Sequence, residues 1–127
     1  MCACRVGLAR VLYVGMAPDL NAMRQGAHTL LDLDPPPTAI FAIYDEVVAE
    51  VLMVARERGL RVPDDIAVIG FDDRDFAVYL GLTTVRQYLA ESGERAFQLL
   101  RDRIAGTTSD LSETIVLPLK VVSRYTA

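Results

Sequence analysis

Apolar and polar positions along this chain follow two rhythms. Residues 38–43 (TAIFAI) and 66–71 (IAVIGF) are short, wholly apolar runs. Between them Val47, Val48, Val51, Leu52 and Ala55 recur at helical spacing, which predicts a helix with one buried stripe. Strands that are apolar on both faces, separated by amphipathic helices, predict a parallel sheet with helices on both sides. The expected fold class is therefore α/β, a parallel sheet flanked by helices. An earlier run, residues 10–15 (RVLYVG), predicts a further strand, closed by Gly15 and then Pro18.

The punctuation refines this picture. Asp19 or Asn21 is expected to cap a helix reaching about Leu33, with Met23, Ala27, Leu30 and Leu31 on one face. The prolines at 35–37 forbid helix and set an extended entry to the next strand. Asp45 is the expected N-cap of the second helix. Arg56 and Arg58 suit its last turn, and Gly59 stops it. Residues 72–75 form a polar loop and residues 82–86 (LTTVR) a short strand. A second long helix over 88–105 aligns Leu89, Ala96, Phe97, Leu100 and Ile104, and ends at Gly106. Residues 114–122, interrupted by Pro118, predict a final strand pair or one kinked edge strand.

Composition narrows the function classes. A chain of 127 residues, 52% hydrophobic, makes one domain and leaves no room for a second of full size. Its formal charge of −4, with no basic face, argues against direct DNA contact by this chain. Cys2 and Cys4 are too few and too close for a disulfide framework or a structural zinc site, and are expected to be inert. Arg5 and Arg10 interrupt any secretory core, and no apolar stretch approaches the ~18 residues of a membrane span. A cytoplasmic protein without membrane contact is expected. His28 stands alone, without a second histidine or a nearby nucleophile. No catalytic set, metal site or cofactor is expected, so the chain is read as a non-enzyme.

Three segments then carry a resemblance: residues 35–73, ending in RVPDDIAVIGFDD; residues 82–87 (LTTVRQ); and residues 116–124 (VLPLKVVSR). In this order they are similar to the C-terminal part of the effector-binding core of LacI/GalR-family transcription regulators. That core is itself similar to periplasmic sugar-binding proteins. The resemblance is close from Gly26 to Arg124 and poor over residues 1–23. It implies a sensor with two lobes and a ligand cleft between them, joined to a helix-turn-helix headpiece that this chain lacks. About residues 10–82 resemble the second lobe, and about 83–127 the crossover, its helix and the C-terminal strands. The implied partners are a small polar effector, sugar-like, and a second copy in a homodimer. Operator DNA would be reached only through the headpiece. In that family the helix after LTTVRQ packs on the first lobe. Here it is expected to fold onto the chain's own sheet or to dock on a second copy.

The resemblance and the sheet rule converge on the carboxyl ends of the strands, where open parallel sheets bind ligands. Asp72 is implied as the carboxylate that accepts from effector hydroxyls or amines, since two oxygens can take a vicinal diol. Its alternative is a purely local loop contact. Tyr44 stands where the family often has Asn. It offers a hydroxyl and a flat ring for stacking, or simply bulk that closes the cleft. Asp45 is the expected helix cap first and a ligand contact second. Arg74, Phe76 and Tyr79 lie in the loop implied at the dimer interface, and Arg86 and Gln87 at the hinge. Two rivals stay open. One is a periplasmic-type sugar-binding fragment. The other is a Mg²⁺-binding phosphoacceptor using Asp45, Asp72 and Asp73, which lacks a suitable lysine because Lys120 lies beyond Pro118. With one cleft wall absent, only weak ligand binding is expected.

Overall fold

The structure, a computed structural model, describes residues 19–107 and 114–127; the expected strand at 10–15 and the two cysteines lie outside them. The chain runs α1 (Leu20–Leu31), β1 (Ala39–Phe41), α2 (Asp45–Glu57), β2 (Ala67–Asp72), a 3-10 turn (Asp75–Ala77), β3 (Thr83–Arg86), α3 (Leu89–Ile104) and β4 (Lys120–Val122). The strands form one sheet in the order β1-β2-β3-β4. The first three are parallel, and β4 pairs antiparallel with β3 through Thr84↔Val122 and its neighbours. The α/β class holds, with a mixed rather than purely parallel sheet. Of the strand expected over 114–122, only Lys120–Val122 pairs among the described residues. Pro118 has no N–H to give a ladder and falls just before it.

Local chemistry explains most helix ends. Asp19 caps α1, its Oδ1 accepting from the Ala22 N–H at 2.9 Å. Gly59, at φ +70°, takes the left-handed turn past the end of α2 that favours glycine. The start of α2 departs from expectation. Its N-cap is Tyr44, which makes no side-chain cap bond, and Asp45 is already the first helical residue. The Asp45 carboxylate is engaged elsewhere, which is why it does not cap.

Packing runs from α1 to α2 and from α2 to β2. Val48, Val51, Val54, Ile66, Val68 and Leu82 are the fully buried centre of the core. On the sheet, Ile40 and Val68 belong to this buried side, whereas Phe41 on the alternate side is 59% exposed. Phe41 meets Phe71 edge to face, with ring centroids 6.3 Å apart. Among the described residues the two packed helices thus cover one face of the sheet, not both as the apolar runs predicted.

The long helix departs further. α3 has no buried residue; Phe97 is 66% and Ile104 80% exposed, and Leu89 and Leu100 are exposed too. It does not fold onto the chain's own sheet, although one face of that sheet is left open at Phe41. A stripe of this size in water forgoes several kcal/mol, at roughly 1.5–3 kcal/mol per large side chain.

Two local devices close the domain. Where β2 and β3 diverge at their starts, Thr126 is inserted between them. Its Oγ1 accepts from the Thr83 N–H (2.9 Å) and donates to the Val68 carbonyl (2.7 Å), while its own carbonyl accepts from the Val68 N–H (2.8 Å). Before β2, Arg61 grips Asp65 through its Nε (2.9 Å), Nη2 (2.7 Å) and backbone N–H (2.7 Å). The side-chain bonds, then the backbone bond, hold the Asp65 carboxyl down at about 2. In Arg61→Ala its titration midpoint, followed by carboxyl ¹³C NMR, is expected to climb toward the ordinary aspartate range. An unmoved midpoint would refute the arginine grip as the cause.

Candidate ligand site at the strand ends

The carboxyl ends of β1, β2 and β3 open in one direction because these strands are parallel. Tyr44 follows β1, Asp72 ends β2, and Arg86 and Gln87 end β3. The turn after β2 is unusual: Asp72 has φ +114° and Asp73 φ +58°. Aspartate tolerates the left-handed region better than most residues, but φ +114° lies beyond it and stores strain of order 1–3 kcal/mol. Such strain persists only when neighbours over-determine it.

Here the turn is tied to several distant parts of the chain. Gln87 Nε2 donates to Asp72 Oδ1. Asp73, whose carboxylate is only 4% exposed, accepts from Arg86 Nε at 2.5 Å and Arg124 Nη2 at 2.7 Å. Burial pushes its pKa up, but the bonds from Arg124 and Arg86 outweigh it and hold the group below the usual carboxylate range. Arg124 Nη1 also donates to the Leu82 carbonyl at 2.7 Å. The backbone N–H of Arg74 donates to Asp45 Oδ2 at 2.8 Å, and Thr84 Oγ1 donates to Asp45 Oδ1 at 2.6 Å.

The expected site residues thus divide into four groups. Tyr44 and Asp72 both stand at the open strand ends, Tyr44 exposed and Asp72 half-buried. Asp45 does not join them: it is fully buried with both oxygens bonded inside the chain, so it faces the core and not a ligand. Arg74 and Tyr79 are exposed, Tyr79 by 88%, with Phe76 half-buried between them; Arg74 Nε lies 3.6 Å from Glu46. Arg86 and Gln87 are bound to the Asp72–Asp73 turn, which ties the crossover to it. Asp45, Asp72 and Asp73 do not assemble as a metal trio, and no cluster of three or more such ligands occurs among the described residues. Gln87 also borders a depression of about 260 Å³, with Tyr88, Leu89, Ser92, Ile115 and Leu119. That is below the roughly 300–1,000 Å³ of an ordinary ligand pocket.

Sequence reasoning missed Thr84, Arg124 and Gly70. Gly70 is needed where it stands, since a Cβ there would sit 2.2 Å from Asp45 Oδ1. A glycine inside an otherwise apolar strand was the one available signal of close approach. Nothing local marks Thr84 or Arg124.

Comparison with known proteins now adds to this geometry. Residues 5–127 match the periplasmic binding protein-like domain. The chain belongs to that family, in its LacI/GalR branch. The transcriptional repressor CytR of Escherichia coli K12 is 42% identical over 88 residues, 68% of this chain and 25% of CytR. The repressor PurR of Yersinia enterocolitica is 40% identical over 99 residues, 76% of this chain and 29% of PurR. The chain therefore spans about a quarter of the length of these relatives. Among solved structures, the CelR–cellobiose complex aligns with a TM-score of 0.78 at 33% identity, over 84% of this chain and 33% of CelR. A LacI-family regulator from Enterococcus faecium with bound ribose aligns at 0.74 and 29% identity, over 87% of this chain and 41% of that one. These relatives are repressors, which fits a non-enzyme.

Proposed function

We propose that this chain is the small-molecule-sensing portion of a LacI/GalR-type transcription regulator, and that its effector is a sugar or a related polar metabolite. Asp72 accepts hydrogen bonds from effector hydroxyls, and Tyr44 offers its ring and hydroxyl across the adjacent strand end. The observation that carries this reading is the strained, over-tied Asp72 turn at the end of a central parallel strand. That is where such sheets bind ligands and where backbone strain accompanies ligand clamps. Sugars bound to similar regulators support the effector class. Arg74, Phe76 and Tyr79 form a contact with a second copy, and Arg86 and Gln87 act as the hinge. DNA is reached through a headpiece, and the protein works in the cytoplasm. The exposed stripe of α3 is the seat of the first lobe, in keeping with relatives of which the matched region makes up only 25% and 29%.

The test is amide chemical-shift mapping with ribose, cellobiose and sucrose at millimolar concentration, since a single cleft wall recovers little of the association cost. Shifts centred on Tyr44 and Asp72, abolished in Asp72→Ala, are expected with at least one sugar. No shift with any sugar, or shifts away from these strand ends, would overturn ligand contact by this chain.

A further inference from the structure

Asp45 is a fully buried carboxylate that neither caps its helix nor reaches solvent, and it is bonded to two distant parts of the chain. One oxygen takes the Thr84 hydroxyl in the middle of β3, 39 residues away. The other takes the backbone N–H of Arg74, the residue directly after the Asp72–Asp73 turn. The floor beneath is Gly70, where any side chain would strike Oδ1. Carboxylate acceptors make roughly twofold stronger bonds than neutral ones, and the amino end of α2 adds a favourable field. A bond to a backbone N–H fixes main-chain position, which a contact with the flexible Arg74 side chain would not.

We propose that Asp45 is a positioning residue that locks the exit of the Asp72–Asp73 turn against β3, and so holds Asp72 in its ligand-accepting conformation. The turn is then fixed from three sides: Gln87 holds Asp72, Arg86 and Arg124 hold Asp73, and Asp45 holds the Arg74 main chain. Two of these ties lead to β3 and its exit, so the ligand turn and the crossover are joined as one unit. The assignment of Asp72 to an effector rests on the function proposed above; the lock itself is independent of it.

Hydrogen exchange of the Arg74 amide, read by NMR on the full chain, tests the lock without any ligand. In Asp45→Asn, which keeps the shape but not the charge, this amide is expected to exchange at least tenfold faster, a factor that corresponds to about 1.4 kcal/mol. The Ala42 amide, bonded to the Ile69 carbonyl in the neighbouring ladder, should keep its rate. Thr84→Val should reproduce the acceleration and Thr84→Ser, which keeps the hydroxyl, should restore the native rate. The Thr84 pair also covers the case in which Asp45→Asn does not fold. An unchanged Arg74 amide in Thr84→Val, or equal acceleration at Ala42, would overturn the lock whether or not any sugar binds. Where ribose, cellobiose or sucrose binds the native chain, Thr84→Val should weaken it severalfold and Thr84→Ser should not. Binding of none of these sugars, with the exchange pattern as expected, would leave the lock standing and remove only the effector reading.

Discussion

Asp73→Ala is expected to destabilise the fold by roughly 3 kcal/mol, because it strands two guanidinium groups around a site built for one carboxylate. Asp73 is 4% exposed and Arg124 16%, so neither is well solvated once the pair is broken. Arg86, at 43% exposed, recovers water more easily and keeps the cost at the lower end of the buried-pair range of about 3–5 kcal/mol. The same carboxylate predicts an acid dependence. Its folded pKa lies below the unfolded value of about 3.9, so its stabilisation is complete above that value. It is lost as pH falls through the lower, folded value. Urea unfolding from neutral pH down through this window should show the native chain losing stability faster than Asp73→Asn, so that the two curves converge in acid. A gap between them that stays constant with pH would refute an ionised Asp73 held by arginine.

The elements of this fold were legible in the sequence where the signal was local. Apolar runs gave β1 and β2, a short side chain capped α1 at Asp19, and Gly59 closed α2, because each depends on neighbours within a few residues. The positions of Tyr44 and Asp72 followed from topology, since parallel strands must bring their carboxyl ends together. What could not be read was anything set by distant partners. Asp45 has the spacing of a helix cap, yet Thr84 and the Arg74 N–H claim its oxygens across 39 and 29 residues. Arg124 gave no sign that it would reach back 51 residues to Asp73. The coverage of the sheet misled for the opposite reason. Strand composition reports how apolar a face is, and not which element covers it; Phe41 is apolar and still 59% exposed.

The contrast between Leu82 and Phe97 turns that last point into a measurement. Leu82 is completely buried between the turn at Gly81 and the start of β3, packed in the central core. Leu82→Ala should cost about 2–5 kcal/mol, from lost transfer energy and the cavity left behind. Against a total of roughly 5–15 kcal/mol, that is a large share of the domain's stability. Phe97→Ala removes a larger side chain, and a buried phenylalanine would cost about 3–5 kcal/mol. In this chain it should change stability by no more than about 0.5 kcal/mol, because the ring already lies in water and alanine is the better helix former. Denaturant unfolding of both variants checks the pair. A large loss in Phe97→Ala would mean that the α3 stripe is covered in solution, and sedimentation would then show whether a second copy covers it. In a longer polypeptide carrying the first lobe, the same substitution should become costly. The difference between the two contexts measures how much of the α3 face that lobe occupies.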